Sequence, residues 1–150
     1  MSDISMKMGE NYGAIMGFMQ QANIQQSGMP FTIYNEMDVN QGNVIFTSAI
    51  PVKERIAITS GDILCGFMEP TTAVKTVLKG NYTNLGAAYA KAEAYVEKEL
   101  LLKVPNAKMF EVYANDPGLF PNPADWLTEI YIPVYKDLRN NHPIISGNSN

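Results

Sequence analysis

Residues 110–134 read FEVYANDPGLFPNPADWLTEIYIPV, and a blurred copy of the same text stands at 31–52 as FTIYNEMDVNQGNVIFTSAIPV. FTIY (31–34) answers FEVY (110–113), and AIPV (49–52) answers YIPV (131–134), in the same order with a slightly longer loop in the second copy. Self-similarity on this scale marks two copies of one supersecondary unit. Within each copy, short runs rich in β-branched and aromatic residues flank turn residues, so each copy reads as two strands: FTIYNE then NVIFTSAIPV, and MFEVYA then DWLTEIYIPV.

Upstream of each strand pair lies a helix-period segment. In NLGAAYAKAEAYVEKELL, Leu85, Ala88, Tyr89, Ala92, Val96 and Leu100 recur at three- and four-residue steps, with Lys91, Glu93, Glu97 and Lys98 elsewhere on the wheel and Asn84 or Thr83 as cap. In the first copy Met8, Tyr12, Ile15, Met16 and Met19 form the stripe, softened by Gly9, Gly13 and Gly17 and stopped near Gly28 and Pro30. One further strand, TTAVKTVLK, precedes the second helix. Few and mostly polar residues precede Gly9, so its counterpart in the first half is expected to be short or absent. The expected fold is α+β: duplicated β-α-β-β units forming an antiparallel sheet with two helices on one face and a ligand groove on the other. The repeats fall at about 6–52 and 71–135 of a single domain spanning 1–136. Residues 53–70 connect them, with Ile63 to Phe67 a candidate edge strand, and 137–150 form a turn-rich, flexible tail containing His142.

Alternation along strands assigns residues to faces. An apolar comb of Phe110 and Val112 toward the helices sends Glu111 and Tyr113 to the other side. Thr128, Ile130 and Ile132 share one face, and Glu129 with Tyr131 the opposite one. Thr32 with Tyr34, and Thr47 with Ala49, are the first-copy equivalents on the open side. That side is therefore expected to collect Tyr34, Tyr113, Tyr131, Glu111 and Glu129. A carboxylate among tyrosines has two readings, a solvated antiparallel sheet face or a pocket for an aromatic cation through charge pairing and cation–π attraction, and periodicity alone does not choose between them.

Composition narrows the function classes. The chain has 150 residues, 46% hydrophobic and 17% charged, with a formal net charge of −4. No basic stripe follows a phosphate backbone, so direct nucleic-acid binding is not expected. The apolar runs are too short to span a membrane and the N-terminus lacks a secretory pattern, which points to the cytoplasm. Cys65 is the only cysteine and His142 the only histidine, which excludes an intrachain disulfide, His-based triads and His- or Cys-rich metal sites. No phosphate-binding loop is present. No cofactor, metal or catalytic residue is assigned.

GNYTNLGAAYAKAEAYVEKELL (80–101), FEVYANDP (110–117) and TEIYIPV (128–134) together resemble the GyrI-like effector-binding domain, the ligand-binding part of AraC-type and multidrug-responsive bacterial transcription activators. The resemblance spans about residues 4 to 135 and is weaker in the first half. It implies two units side by side with a groove between them, Glu129 as the pocket carboxylate, Tyr113 as a lining residue and Tyr82 at the rim. Tyr34 and Tyr131 are added from pseudo-symmetry and strand face, and Trp126 is placed to close one side.

The expected function is a stand-alone small-molecule sensing domain for amphipathic or cationic aromatic ligands. Two alternatives are a hydrolase of electrophilic small molecules with Glu129 and Glu111 as an acid/base pair, and a protein-interaction module. An uncovered sheet edge near FTIY or NVIF, left by the missing first strand, makes a homodimer the expected assembly.

Overall fold

A computed structural model describes residues 2–38, 41–58 and 61–136. The flexible tail expected at 137–150, with His142, lies outside the described residues. In chain order the elements are α1 (Ser2–Gln21), β1 (Phe31–Asp38), β2 (Asn43–Ala49), β3 (Ala73–Lys79), α2 (Leu85–Lys98), β4 (Phe110–Tyr113) and β5 (Leu127–Pro133). One-turn 3-10 segments, Tyr82–Asn84 and Pro123–Asp125, precede α2 and β5. The first is capped by the Asn81 side chain, which accepts from the Thr83 amide at 3.0 Å; Asn84 makes no side-chain cap. The strands form one antiparallel sheet in the order β2-β1-β4-β5-β3. The α+β architecture read from the sequence is the one observed.

The duplication appears in matched details. Both helices stop at a residue in the left-handed region, Asn23 and Leu100, each with φ 54°. The chain then turns through equivalent hydrogen bonds, Ile24 N–H to Met19 O at 2.8 Å and Leu101 N–H to Val96 O at 2.9 Å. Ser27 donates to Pro51 O at 2.8 Å as Val104 donates to Pro133 O at 3.2 Å, so the two prolines hold like positions. At the junction of the halves, Phe31 faces Val112, Thr32 faces Glu111 and Ile33 faces Phe110. The Tyr34 amide donates to Met109 O and the Tyr113 amide to Pro30 O, both at 3.0 Å. A pseudo-twofold axis therefore passes between Thr32 and Glu111.

The halves differ in their outer strand. β3 covers the outer edge of β5, but no strand precedes α1 among the described residues, and the outer edge of β2 is bare. No strand forms at Ile63 to Phe67 either: Leu64 is 83% and Phe67 80% exposed, so the segment lacks the burial that would hold it to an edge.

Packing differs too. On α2 the small residues Ala88 and Ala92, with Val96 one turn on, let the helix approach the sheet closely, and Ala92 and Val96 cluster with Ile132 and Val134 in the core. On α1 Met19 is the one buried residue, and Gly9, Gly13 and Gly17 face open space.

Candidate functional site

β4 runs against β1 and β5 with Glu111 between Thr32 and Ile130, both fully buried residues of the helix-covered side. Glu111 is 1% exposed. Tyr89 of α2 donates its hydroxyl to one carboxylate oxygen at 2.6 Å, and Tyr113 donates to the other at 3.2 Å. The Tyr34 hydroxyl acts on the same carboxylate. From the opposite helix, Tyr12 donates to the Phe31 carbonyl at 2.6 Å and lies 3.0 Å from the Thr32 hydroxyl. Thr32 is also 2.9 Å from the Tyr113 hydroxyl. Each hydroxyl has one proton, so with Tyr12 donating to Phe31 O and Tyr113 to Glu111, the Thr32 hydroxyl can donate to only one of the two phenols at a time.

These contacts correct the face assignment made from the apolar comb. Glu111, Tyr113 and Tyr34 point toward the helices, and Phe110 and Val112 toward the far side. The comb misled because both faces of β4 are covered to some degree: Phe110 is buried on the far face by stacking on Tyr131, centroids 4.7 Å apart and planes 8° off parallel. Glu129 and Tyr131 do lie on the far face. There Glu129 forms an ion pair with Lys75 at 2.6 Å and accepts from the Tyr131 hydroxyl at 2.6 Å. Glu129 is thus a carboxylate with its own cation on this face. Lys75 stands across the β3–β5 ladder, and its hydrogen bond, with that from Tyr131, holds the Glu129 carboxyl below the usual range. Glu111 and Glu129, on opposite faces of the sheet, do not form the acid/base pair that the hydrolase alternative requires.

Of the residues singled out in the sequence, Glu111, Tyr113, Tyr34, Tyr82 and Trp126 come together on the helix side, and Glu129 and Tyr131 do not. Tyr82 sits 4.6 Å, centroid to centroid, from Trp126 and 6.0 Å from Tyr113, which is 6.2 Å from Tyr12. This row of rings forms a continuous aromatic wall, anchored at one end by the Trp126 indole N–H donating to Phe120 O at 2.8 Å. Tyr12, Tyr89, Thr32 and Met8 belong to the same cluster and were not assigned to it from sequence. Met8 contributes a sulfur 3.6 Å from the Tyr113 hydroxyl. Tyr12 and Tyr89 were visible as members of the helix stripes, and each lies on the turn following a stripe residue, Met8 or Leu85. That echo is the signal that would have found them.

Electrostatically the cluster is a dry acidic site. Burial raises the Glu111 pKa above the ordinary carboxylate value, despite the three phenols that hydrogen-bond the charged form and lower it. Burial, and then the Glu111 charge, push Tyr34, Tyr89 and Tyr113 far above the usual phenol value and Tyr82 to about 12. All remain protonated donors at neutral pH. No Lys or Arg among the described residues pairs with Glu111. On the same side Thr128, opposite Tyr113 and fully buried, has a hydroxyl without a hydrogen-bond partner. Such an atom is costly unless a bound group satisfies it. No group of His, Cys, Asp and Glu among the described residues is arranged to hold a metal ion, and no helix among them is long and apolar enough to cross a membrane.

No protein-family model matches the chain, and no curated protein matches it. Solved structures do. The EcmrR C-terminal domain in its crystal structure superposes with a TM-score of 0.69 at 23% identity, over 87% of this chain and 79% of that one. EcmrR in the cryo-EM structure of its DNA complex in EcmrR-RPo superposes with a TM-score of 0.70 at 24% identity, over 83% of this chain. This chain spans 47% of that longer one. At such identity the likeness establishes a shared fold, and the GyrI-like arrangement implied by the sequence motifs is consistent with it.

Proposed function

We propose that the chain is a cytoplasmic sensing domain associated with transcription regulation, which binds an aromatic or amphipathic organic cation between α1 and α2, with Glu111 as its counter-ion. The observation that carries this reading is a carboxylate 1% exposed, ringed by phenols and without a paired cation among the described residues. A carboxylate stripped of water is stabilised by a paired charge, and ring faces attract the same cation by ~0.5–2 kcal/mol. The phenols fix the carboxylate in place, so little ordering remains to be done on binding. The shared fold with a domain of EcmrR, which is seen in complex with DNA, supports the regulatory setting. Contact with nucleic acid is assigned outside these residues, whose sequence is acidic overall.

The test is titration calorimetry of purified protein with aromatic quaternary ammonium compounds and neutral aromatics of similar size. Glu111→Gln keeps shape and hydrogen bonding and is expected to weaken the cations by roughly 1–3 kcal/mol while sparing the neutral compounds. Glu129→Gln, on the far face, is expected to leave affinity within about twofold, as for other solvent-exposed ion pairs. Equal cation binding by wild type and Glu111→Gln refutes the assignment.

A further inference from the structure

The cluster is built twice over. Tyr12 and Tyr89 sit at equivalent positions of the two helices and reach Thr32 and Glu111 respectively. Tyr34 and Tyr113 stand two residues along β1 and β4 from those same residues, on the same faces. Thr32 and Glu111 face each other across the β1–β4 junction, second residue of FTIY against second residue of FEVY. The pseudo-twofold axis thus exchanges Tyr12 with Tyr89, Tyr34 with Tyr113 and Thr32 with Glu111, and chemical identity is kept at every pair but the last. Thr32 meets Tyr12 and Tyr113, and Glu111 meets Tyr89, Tyr113 and Tyr34, so each pole is a seat for one buried polar group under phenols, and only one of the two carries charge. The Tyr113 hydroxyl, 2.9 Å from Thr32 and 3.2 Å from Glu111, shows how close the seats are.

We propose that the cage is tuned by Thr32 to accept singly charged organic cations and to reject dications, and that a carboxylate at either pole supports binding. The proposal rests on the reading of Glu111 as the cation's counter-ion. A dication bound here leaves one charge desolvated with only hydroxyl oxygens around it, because Thr32 occupies the seat where the axis would set a second carboxylate. A monocation finds its charge paired whichever seat holds the acid, since Tyr12 and Tyr34 match Tyr89 and Tyr113 about the axis, although Tyr82 and Trp126 belong to the second half alone.

The probes are benzyltrimethylammonium and its doubly charged counterpart para-xylylene-bis(trimethylammonium), titrated against wild type, Glu111→Thr, Thr32→Glu and the exchange variant carrying both substitutions. Wild type is expected to favour the monocation by about tenfold or more, as leaving a buried charge unpaired is costly. Glu111→Thr is expected to lose it. The exchange variant, which keeps total side-chain volume and charge, is expected to recover the monocation to within about tenfold of wild type, the tyrosine cage at its other pole being equivalent. Thr32→Glu is expected to bring the dication level with the monocation or ahead of it. A wild type that binds both probes equally, or a cooperatively folded exchange variant that fails to bind the monocation, overturns the proposal. Should the exchange variant not fold, the wild-type ratio decides alone. Glu111→Thr binding the monocation as wild type does brings down the counter-ion reading itself, and this proposal with it.

Discussion

Glu111→Gln is expected to raise the stability of the unliganded protein at neutral pH and to lower it little or not at all in acid. In the fold Glu111 is 1% exposed and burial lifts its pKa above the ~4.3 of an unfolded Glu. The folded state therefore holds its proton more tightly than the unfolded state. Between the unfolded value and the raised folded one, stability falls as pH rises; above the folded value the loss is complete and constant. The hydrogen-bond ledger runs the other way but is smaller. A Gln keeps an acceptor for Tyr89, and its amide can donate to Tyr113, whose proton is then free for Thr32 at 2.9 Å. Three charge-assisted bonds become neutral ones, a loss of roughly 2–3 kcal/mol, against several kcal/mol for desolvating a carboxylate. The net gain is about 1–2 kcal/mol at neutral pH, or roughly 3–6 °C in Tm for a domain of this size. Scanning calorimetry of both proteins across the acid-to-neutral range checks it, and the two Tm curves should converge toward low pH. A variant less stable than wild type at neutral pH would falsify the argument, for it would mean that the phenols fully compensate the buried charge.

Other outcomes follow from single residues. Leu100 adopts φ 54° at the end of α2 while 81% exposed, so Leu100→Gly should gain ~1 kcal/mol by relieving the left-handed strain, read as a higher denaturant midpoint at unchanged slope. Thr128→Val removes a buried hydroxyl without a partner and should stabilise the unliganded protein by about 1 kcal/mol; a lower Tm would show that the hydroxyl is satisfied in solution. The β2 strand, NVIFTSA, carries neither the charges nor the proline that usually guard an edge, whereas β3 presents Lys75 and Lys79. Sedimentation is expected to show a dimer that Ile45→Lys, at a position 53% exposed on β2, shifts to monomer; a wild type that stays monomeric at high concentration refutes it.

The strands and helices were legible because the chain states them twice: a weak pattern in FTIY became firm once FEVY repeated it, and the helix stripes stood before both. That no strand precedes α1 among the described residues agrees with the shortage of apolar residues before Gly9. Facing was harder. Alternation tells which residues share a side but not which side meets the helices, and on β4 both sets have claims: Phe110 and Val112 are the more apolar, yet Glu111 and Tyr113 are the ones the helices cover. An apolar rule fails where a fold buries polar groups for use. For the same reason Glu129 looked like the better carboxylate until β3 brought Lys75 beside it, a pairing between residues far apart in the chain that no local pattern announces. Tyr12 and Tyr89 were read as core-facing stripe residues, which they are, and the core they face is the polar cluster proposed as the site.

The uneven anchoring of the two helices bears on how occupancy of the cage would be felt elsewhere. α2 is held by a cluster of aliphatic side chains that does not depend on what lies in the cage. α1 has Met19 as its one fully buried described residue and carries three glycines, and its side-chain hydrogen bonds with the sheet are made by Tyr12 and Met8, both members of the cluster, and by Asn11, which donates to Ser48 at 3.4 Å. Undocking of α1 is thus expected to cost less than undocking of α2, and on the proposed reading a guest lodged between the helices would raise that cost. On the proposed reading the N-terminal helix would act as a timer: how long it rests on the sheet before lifting, measured by exchange of its amide hydrogens, would report whether a cation is bound beneath it.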